Sequence, residues 1–398
     1  MEFILAGGTL IDGTDDEPVE NAAVHVKDGR IAWVGSLSDL PAENQNVVQE
    51  DVSGKWLLPG IIDAHIHVCW NGEESIFELL ERDRDLIVLE AVDIVKRILS
   101  TGTTTVRDVG GHDYVEMALR QAINSGFIAG PRMRTSGKVI AMTGGHAHFI
   151  AREADGPDEV RKAAREQIKA GADTVKLMAT GGSATPGQDI HASQLTLEEM
   201  AAAVDAAHSV GRTVAAHCHG TGGIKNSILA GLDSIEHCTF LDEETADMMV
   251  EKGIALVMTL GVSYPDLSGN LSPVQLADAE RRKPNFEKAQ MQSRKLIALA
   301  REKGVFLGIG TDAGGNPLAP HRFSMARELE LMVEYGIPAH EALTIATRNN
   351  ARVLRWENDL GTLEAGKFAD VLVVNDNPLA DISNVRNVAA VYKGGISV

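Results

Sequence analysis

Eight short apolar segments recur along the middle of the chain, at 57–65, 103–109, 132–137, 174–179, 213–217, 234–237, 254–259 and 305–310. Helix-like patterns separate them, at about 74–100, 113–126, 157–170, 196–210, 222–231, 242–252 and 276–303, and two more follow at 323–335 and 338–354. Pro157 opens one of these helices, and Thr196 followed by Glu199 reads as a capping box. Strands that alternate with helices must pair in parallel, because each helix carries the chain back across the sheet. Eight such units predict a (β/α)8 TIM barrel, with a doubly wound open sheet as the competing arrangement. In a barrel the chemistry belongs at the C-terminal ends of the strands.

Unusual polar residues stand at those ends. The run 57–68 closes on His65 and His67, whose i, i+2 spacing points both side chains the same way. Alone, this pair is equally well two core histidines. Lys176 interrupts an apolar strand, where a lone ammonium is costly unless it is paired or neutralised. The fifth segment ends in His217-Cys-His219, the sixth in Glu-His237, and the eighth in a glycine-rich turn carrying Asp312. Five strand ends thus deliver nitrogen or oxygen donors to one mouth. Histidines 65, 67, 217 and 237 with one carboxylate suit Zn²⁺, Mn²⁺ or Fe²⁺ and fit Ca²⁺ poorly.

The two ends of the chain carry shorter β-like runs, at Phe3–Ala6, Ala22–Lys27, Ile31–Val34, Asp370–Val374 and Val388–Lys393. Neither end holds enough for a core, so residues 1–56 and 357–398 are expected to build one small β-sandwich flanking a barrel at 57–356. A net charge of −19 argues against nucleic acid or an anionic membrane as partner. The start lacks a basic region and a long apolar run, and no stretch reaches the ~18 apolar residues of a membrane span, so a cytoplasmic location is expected. Three cysteines make a disulfide framework unsuited; Cys69, Cys218 and Cys238 read as small core residues.

The segments Asp63-Ala-His65-Ile-His67, Lys176, His217, His237 and Thr311-Asp312 resemble the amidohydrolase superfamily. The terminal stretches Gly-Gly-Thr-Leu-Ile-Asp-Gly and Gly-Thr-Leu-Glu-Ala-Gly-Lys-Phe-Ala-Asp match its composite β-domain, so the resemblance spans the chain. Val-Lys-Leu-Met-Ala-Thr-Gly-Gly, Ala-His-Cys-His-Gly and Ser-Ile-Glu-His-Cys are similar to its imidazolonepropionase-like branch. Within that branch they are similar to zinc-dependent Xaa-Pro dipeptidases, carboxypeptidases and ochratoxinase-type members. The resemblance implies two divalent metals, zinc in type. His65, His67 and Asp312 would hold one, His217 and His237 the other, and a CO2-derived carboxylate on Lys176 would bridge them. It also implies that Asp312 is the catalytic residue, shuttling a proton from metal-activated water to the leaving nitrogen. Imidazolonepropionases themselves lack the lysine bridge, which argues against that activity here.

Other groups are candidate substrate contacts. His146 and His148 follow the third strand and are either site residues or loop caps. His219 shares a face with His217 and is either a contact or a support. Tyr264, beyond the seventh strand, resembles a tyrosine that relatives place near a substrate carboxylate. His191 and His321 read as surface or lid residues, Arg107-Asp108 as an internal ion pair, and 261–285 as a possible lid. The expected function is hydrolysis of an amide C–N bond in a small molecule, a dipeptide or N-acyl amino acid first among them. The alternatives are a cyclic amide, carbamate, urea, lactone or organophosphate as substrate, or a non-catalytic scaffold that keeps the fold. Relatives imply a homo-oligomer.

Overall fold

The structure, a computed structural model, describes residues 1–14, 17–72, 76–264, 273–315, 321 and 324–398. Among the described residues the barrel strands are Ile61–Ile66, Thr103–Asp108, Arg132–Thr135, Thr174–Met178, Thr213–Cys218, Ser234–His237, Ala255–Met258 and Leu307–Ile309. Apart from the third strand they are buried at every residue, as parallel strands covered on both faces must be. Parallel ladders join the first three and, separately, the last five. Two seams close the ring. At one, the Asp173 amide donates to the Thr135 carbonyl at 2.8 Å. At the other, fully buried Asn350 donates to the carbonyls of Ile62 (2.6 Å) and Ile309 (2.8 Å), and its own oxygen accepts from the Ile309 amide.

The expected strand at 57–65 is in fact two strands. Trp56–Pro59 pairs with Glu2–Leu10 and with Val371–Val374 in the terminal sheet, whereas Ile61–Ile66 enters the barrel. The switch falls at Gly60, where a Cβ would lie 2.0 Å from the Thr104 hydroxyl, so only glycine lets the chain cross there. The third strand also stops early, at Thr135. Gly137 takes a φ of 74°, and the chain resumes as Ile140–Ala141 beside the fourth strand. Both termini contribute to the small β-sandwich: Glu2–Leu10, Val19–Lys27 and Arg30–Ser36 pair antiparallel, and Val388–Lys393 pairs with Val371–Val374.

The helices follow their sequence signals. Thr196 and Glu199 form the reciprocal cap of Leu197–His208, at 3.2 and 2.8 Å. The pattern at 74–100 is interrupted and yields Ile76–Leu80 and Arg84–Ser100, the second capped by Asp83. Among the described residues no helix is long and apolar enough to cross a membrane. All three cysteines are buried and unpaired.

Candidate metal centre

Two clusters of donor atoms form where the strands end. His65, His67 and Asp312 bring one ligand atom each to within 4.8 Å of one another, and so do His217, His219 and His237. The clusters adjoin, because the His65 and His237 rings are 5.0 Å apart. Asp312 Oδ1 lies 3.4 Å from His65 Nε2 and 3.1 Å from His67 Nε2. Its place is fixed by the turn before it. Thr311 donates its amide and hydroxyl to Asp63, which also accepts from the His65 amide, so the first and eighth strands are locked together. Gly310 is required there, since a Cβ would come within 2.4 Å of the His65 backbone nitrogen.

Strain marks the same residues. His237, Cys238 and Asp312 have φ of 69°, 47° and 52°, in the left-handed region that non-glycine residues seldom adopt. The turn at His237 has a direct consequence. Strict alternation would place Glu236 and His237 on opposite faces, yet both reach the barrel interior. Glu236 is fully buried and accepts from Arg107 at 2.8 and 2.9 Å and from His65 Nδ1 at 2.8 Å.

The hydrogen bonds also decide which imidazole nitrogen is open. His67 Nδ1 donates to the Gly110 carbonyl at 3.0 Å, so Nε2 is the nitrogen turned to Asp312. His65 Nδ1 donates to the Glu236 carboxylate, likewise turning Nε2 to Asp312. His217 instead turns Nε2 to the Gly181 carbonyl at 3.3 Å and keeps Nδ1. His237 and His219 bond through Nδ1 to the hydroxyls of Thr259 and Thr239, both at 2.7 Å. Such outer partners orient ligands and set their basicity.

Burial and then the neighbouring histidines push His217 and His237 well below their ordinary pKa, so both imidazoles are neutral donors. Burial works to raise the Asp312 carboxyl, but His65 and His67 hold it well below the usual carboxylate range. Lys176 completes the set. It is 1% exposed, its Nζ has no hydrogen-bond partner among the described residues, and burial lowers its pKa to about 8 despite Glu236. Two neutral imidazoles, two more that face an ionised carboxylate, and a buried amine at one mouth fit divalent cations.

The other sequence candidates divide. His146 is buried, its ring 4.3 Å from that of His217, and Thr185 holds its Nδ1 at 3.0 Å. Burial, then His219, lowers it to about 4, and burial lowers His219 to about 4 as well. His219 sits as near to His217 and His237 as a third ligand would. Gly182 leaves room for this group, because a Cβ there would approach His146 and His217 to 2.4 and 2.7 Å. His148, by contrast, is exposed against Phe149. The Tyr264 hydroxyl turns to Tyr335 at 2.6 Å with Arg327 over its ring, and no described contact joins it to the histidines. His191 is an exposed residue lying on Phe240, and His321 is buried with Nε2 on the Trp70 carbonyl, not at the surface. Arg107 pairs with Glu236 and not with Asp108, which accepts the amides of Val68 and Gly110. Of the segment 261–285, residues 265–272 lie outside the described residues. Glu328 anchors the part before them by accepting the amides of Leu260 and Gly261.

Beside Cys69, Glu116 is fully buried, and burial followed by the Asp108 charge raises its carboxyl to about 8. A carboxyl with a raised folded-state pKa keeps its proton while the unfolded chain releases it. Stability is therefore lost as pH climbs from the unfolded value through about 8. Glu116→Gln should flatten this dependence: between pH 6 and 8.5 its melting temperature falls less than that of the parent. Equal slopes would contradict the assignment.

The sequence profile of the amidohydrolase family matches residues 56–398. Ochratoxinase from Aspergillus niger is 32% identical over 98% of this chain and 85% of its own length. Its crystal structure superposes with a TM-score of 0.85, at 31% identity, covering 100% of this chain and 95% of that one. A Xaa-Pro dipeptidase with methionine bound in its active site gives 0.86 at 34% identity, with both chains covered completely. A prolidase complexed with N-methylphosphonate-L-proline gives 0.88 at 30%, covering 100% and 99%.

Proposed function

Because the chain belongs to the amidohydrolase family, we propose that it is a metal-dependent hydrolase cleaving the amide C–N bond of a dipeptide or N-acyl amino acid. The observation that carries this reading is the convergence of two adjoining donor clusters on one barrel mouth with a buried Lys176 whose Nζ has no hydrogen-bond partner among the described residues. The named activities of the similar proteins, an ochratoxinase, a dipeptidase and a prolidase, support amide substrates. Two divalent cations, zinc among those the donor set suits, would supply Lewis acidity to the scissile carbonyl and bring water's pKa towards neutrality.

The chain's own residues then divide the work. His65, His67 and Asp312 would hold one cation, and His217 and His237 the other. Burial keeps part of the Lys176 amine neutral, and that amine adds to CO2. One N–C bond would form and one proton leave, so a costly buried cation would become a two-oxygen anion able to ligate the cations. Asp312 takes a proton from the attacking water and returns it to the leaving nitrogen. His146 and His219, neutral near pH 7, offer hydrogen bonds to the substrate's carbonyl or carboxylate. The chain of Arg107, Glu236 and His65 fixes the first ligand's tautomer.

A substrate panel tests the reading. Zinc-loaded protein should turn over dipeptides or N-acyl amino acids at a kcat/KM of about 10⁴ M⁻¹s⁻¹ or more. Lactones and organophosphate triesters should be at least about a hundredfold slower. Preference for the esters, with amides untouched, would contradict it.

A further inference from the structure

We infer that the N-terminal end of the barrel, opposite the metal centre, binds a tetrahedral oxyanion of the phosphate class. A cavity of about 90 Å3 opens there, larger than one water needs, with Arg107, Arg134, Arg212, Arg355, Asp173 and Thr213 in its wall. Four arginines thus line one void beside a single carboxylate.

Their existing partners do not balance them. Asp173 is shared by Arg120, Arg134 and Arg212, the last at 3.8 Å, too long for a hydrogen bond. Arg355 pairs with Asp233, which also holds His208, and Arg107 pairs with Glu236. Five guanidinium groups therefore share three carboxylates, in a chain whose acidic residues outnumber the basic ones 56 to 37. Donors are left over as well. Arg134 Nε is buried without an acceptor among the described residues, while its guanidinium is pinned 4.0 Å over the Trp356 ring. Arg107, at 2% exposure, spends four hydrogen bonds on Ala64, Ser234 and the two Glu236 oxygens and has a fifth N–H to give.

The geometry selects the ligand. The four arginines come from the second strand, the third strand, the turn before the fifth and the residue after the cap of the helix Asn350–Val353, so they approach from different sides. A phosphate offers oxygens in four directions and suits several planar forks at once, whereas a carboxylate has two oxygens in one plane. The site is also wired to the other end of the barrel. An oxyanion on the open N–H of Arg107 is joined through Glu236 to His65, a candidate metal ligand.

Isothermal titration of the metal-loaded protein with inorganic phosphate tests the assignment. Arg212 and Arg355 are suitable targets, because their side chains are 39% and 56% exposed and lie outside the metal centre. Phosphate can also reach the cations, so the comparison between proteins carries the result. Arg212→Ala and Arg355→Ala should each weaken one class of phosphate site about tenfold, with metal content and phosphate-free hydrolysis unchanged. Arg212→Lys, which keeps the charge and loses the fork, should fall between. A glycerol phosphate arm separates the sources: binding equal to phosphate identifies a phosphomonoester end, and binding of phosphate alone identifies the free anion. Identical isotherms for the parent and all three variants would overturn the proposal, as would succinate binding more tightly than phosphate.

Discussion

Lys176→Met is expected to lower kcat/KM by at least about a thousandfold and to reduce the bound metal from two equivalents to one or none. The replacement has nearly the same shape, so the loss would come from chemistry and not from a cavity. Lys176 is among the largest fully buried side chains, and nothing described in the barrel accepts a hydrogen bond from its Nζ. A group in that position is a burden on stability unless something neutralises it. Methionine removes the burden, so the metal-free variant should melt no lower than the metal-free parent. Inactivity together with a melting temperature at or above the parent's is the combined signature. Normal turnover and normal metal content in this variant would remove the bridge from the mechanism.

Asp312→Asn carries the second large effect. The residue sits at a φ of 52°, and asparagine tolerates the left-handed region better than most residues, so the turn should survive. What is lost is the charge that His65 and His67 face at 3.4 and 3.1 Å, and with it the proton acceptor. kcat should drop by about 10² to 10⁴, with KM changed far less, and one cation should be held more weakly. Steady-state kinetics on the metal-saturated variant check this. An unchanged kcat at full metal occupancy would assign the proton to another group.

Much of this centre could be read from the chain because strand geometry is periodic. The i, i+2 pairs at 65/67 and 217/219 and the candidate donors at 237 and 312 stand where apolar segments stop, Lys176 interrupts one, and a barrel gathers strand ends whatever the sequence distance. Periodicity is also where the reading failed. It joined 57–65 into one strand, because an apolar run carries no mark of which sheet it enters; the break is set by the Thr104 side chain against Gly60. It concealed Glu236, because the left-handed backbone at His237 breaks the alternation just where the two residues meet the interior. Arg107 was visible as a buried charge, but its partner lies 129 residues away and only the closed ring brings them together. Tyr264 and His148 were placed by position in a loop, and loop position fixes no side-chain direction. Their contacts with Tyr335 and Phe149 depend on packing between elements.

The most direct test of the metal centre is the divalent metal content of the purified protein, measured by elemental analysis on the same sample whose hydrolysis rate is recorded. The cluster geometry predicts about two equivalents per chain, with hydrolysis vanishing as a chelator withdraws them and returning on readdition. A protein that hydrolyses its amide substrate at full rate with no stoichiometric metal would contradict it.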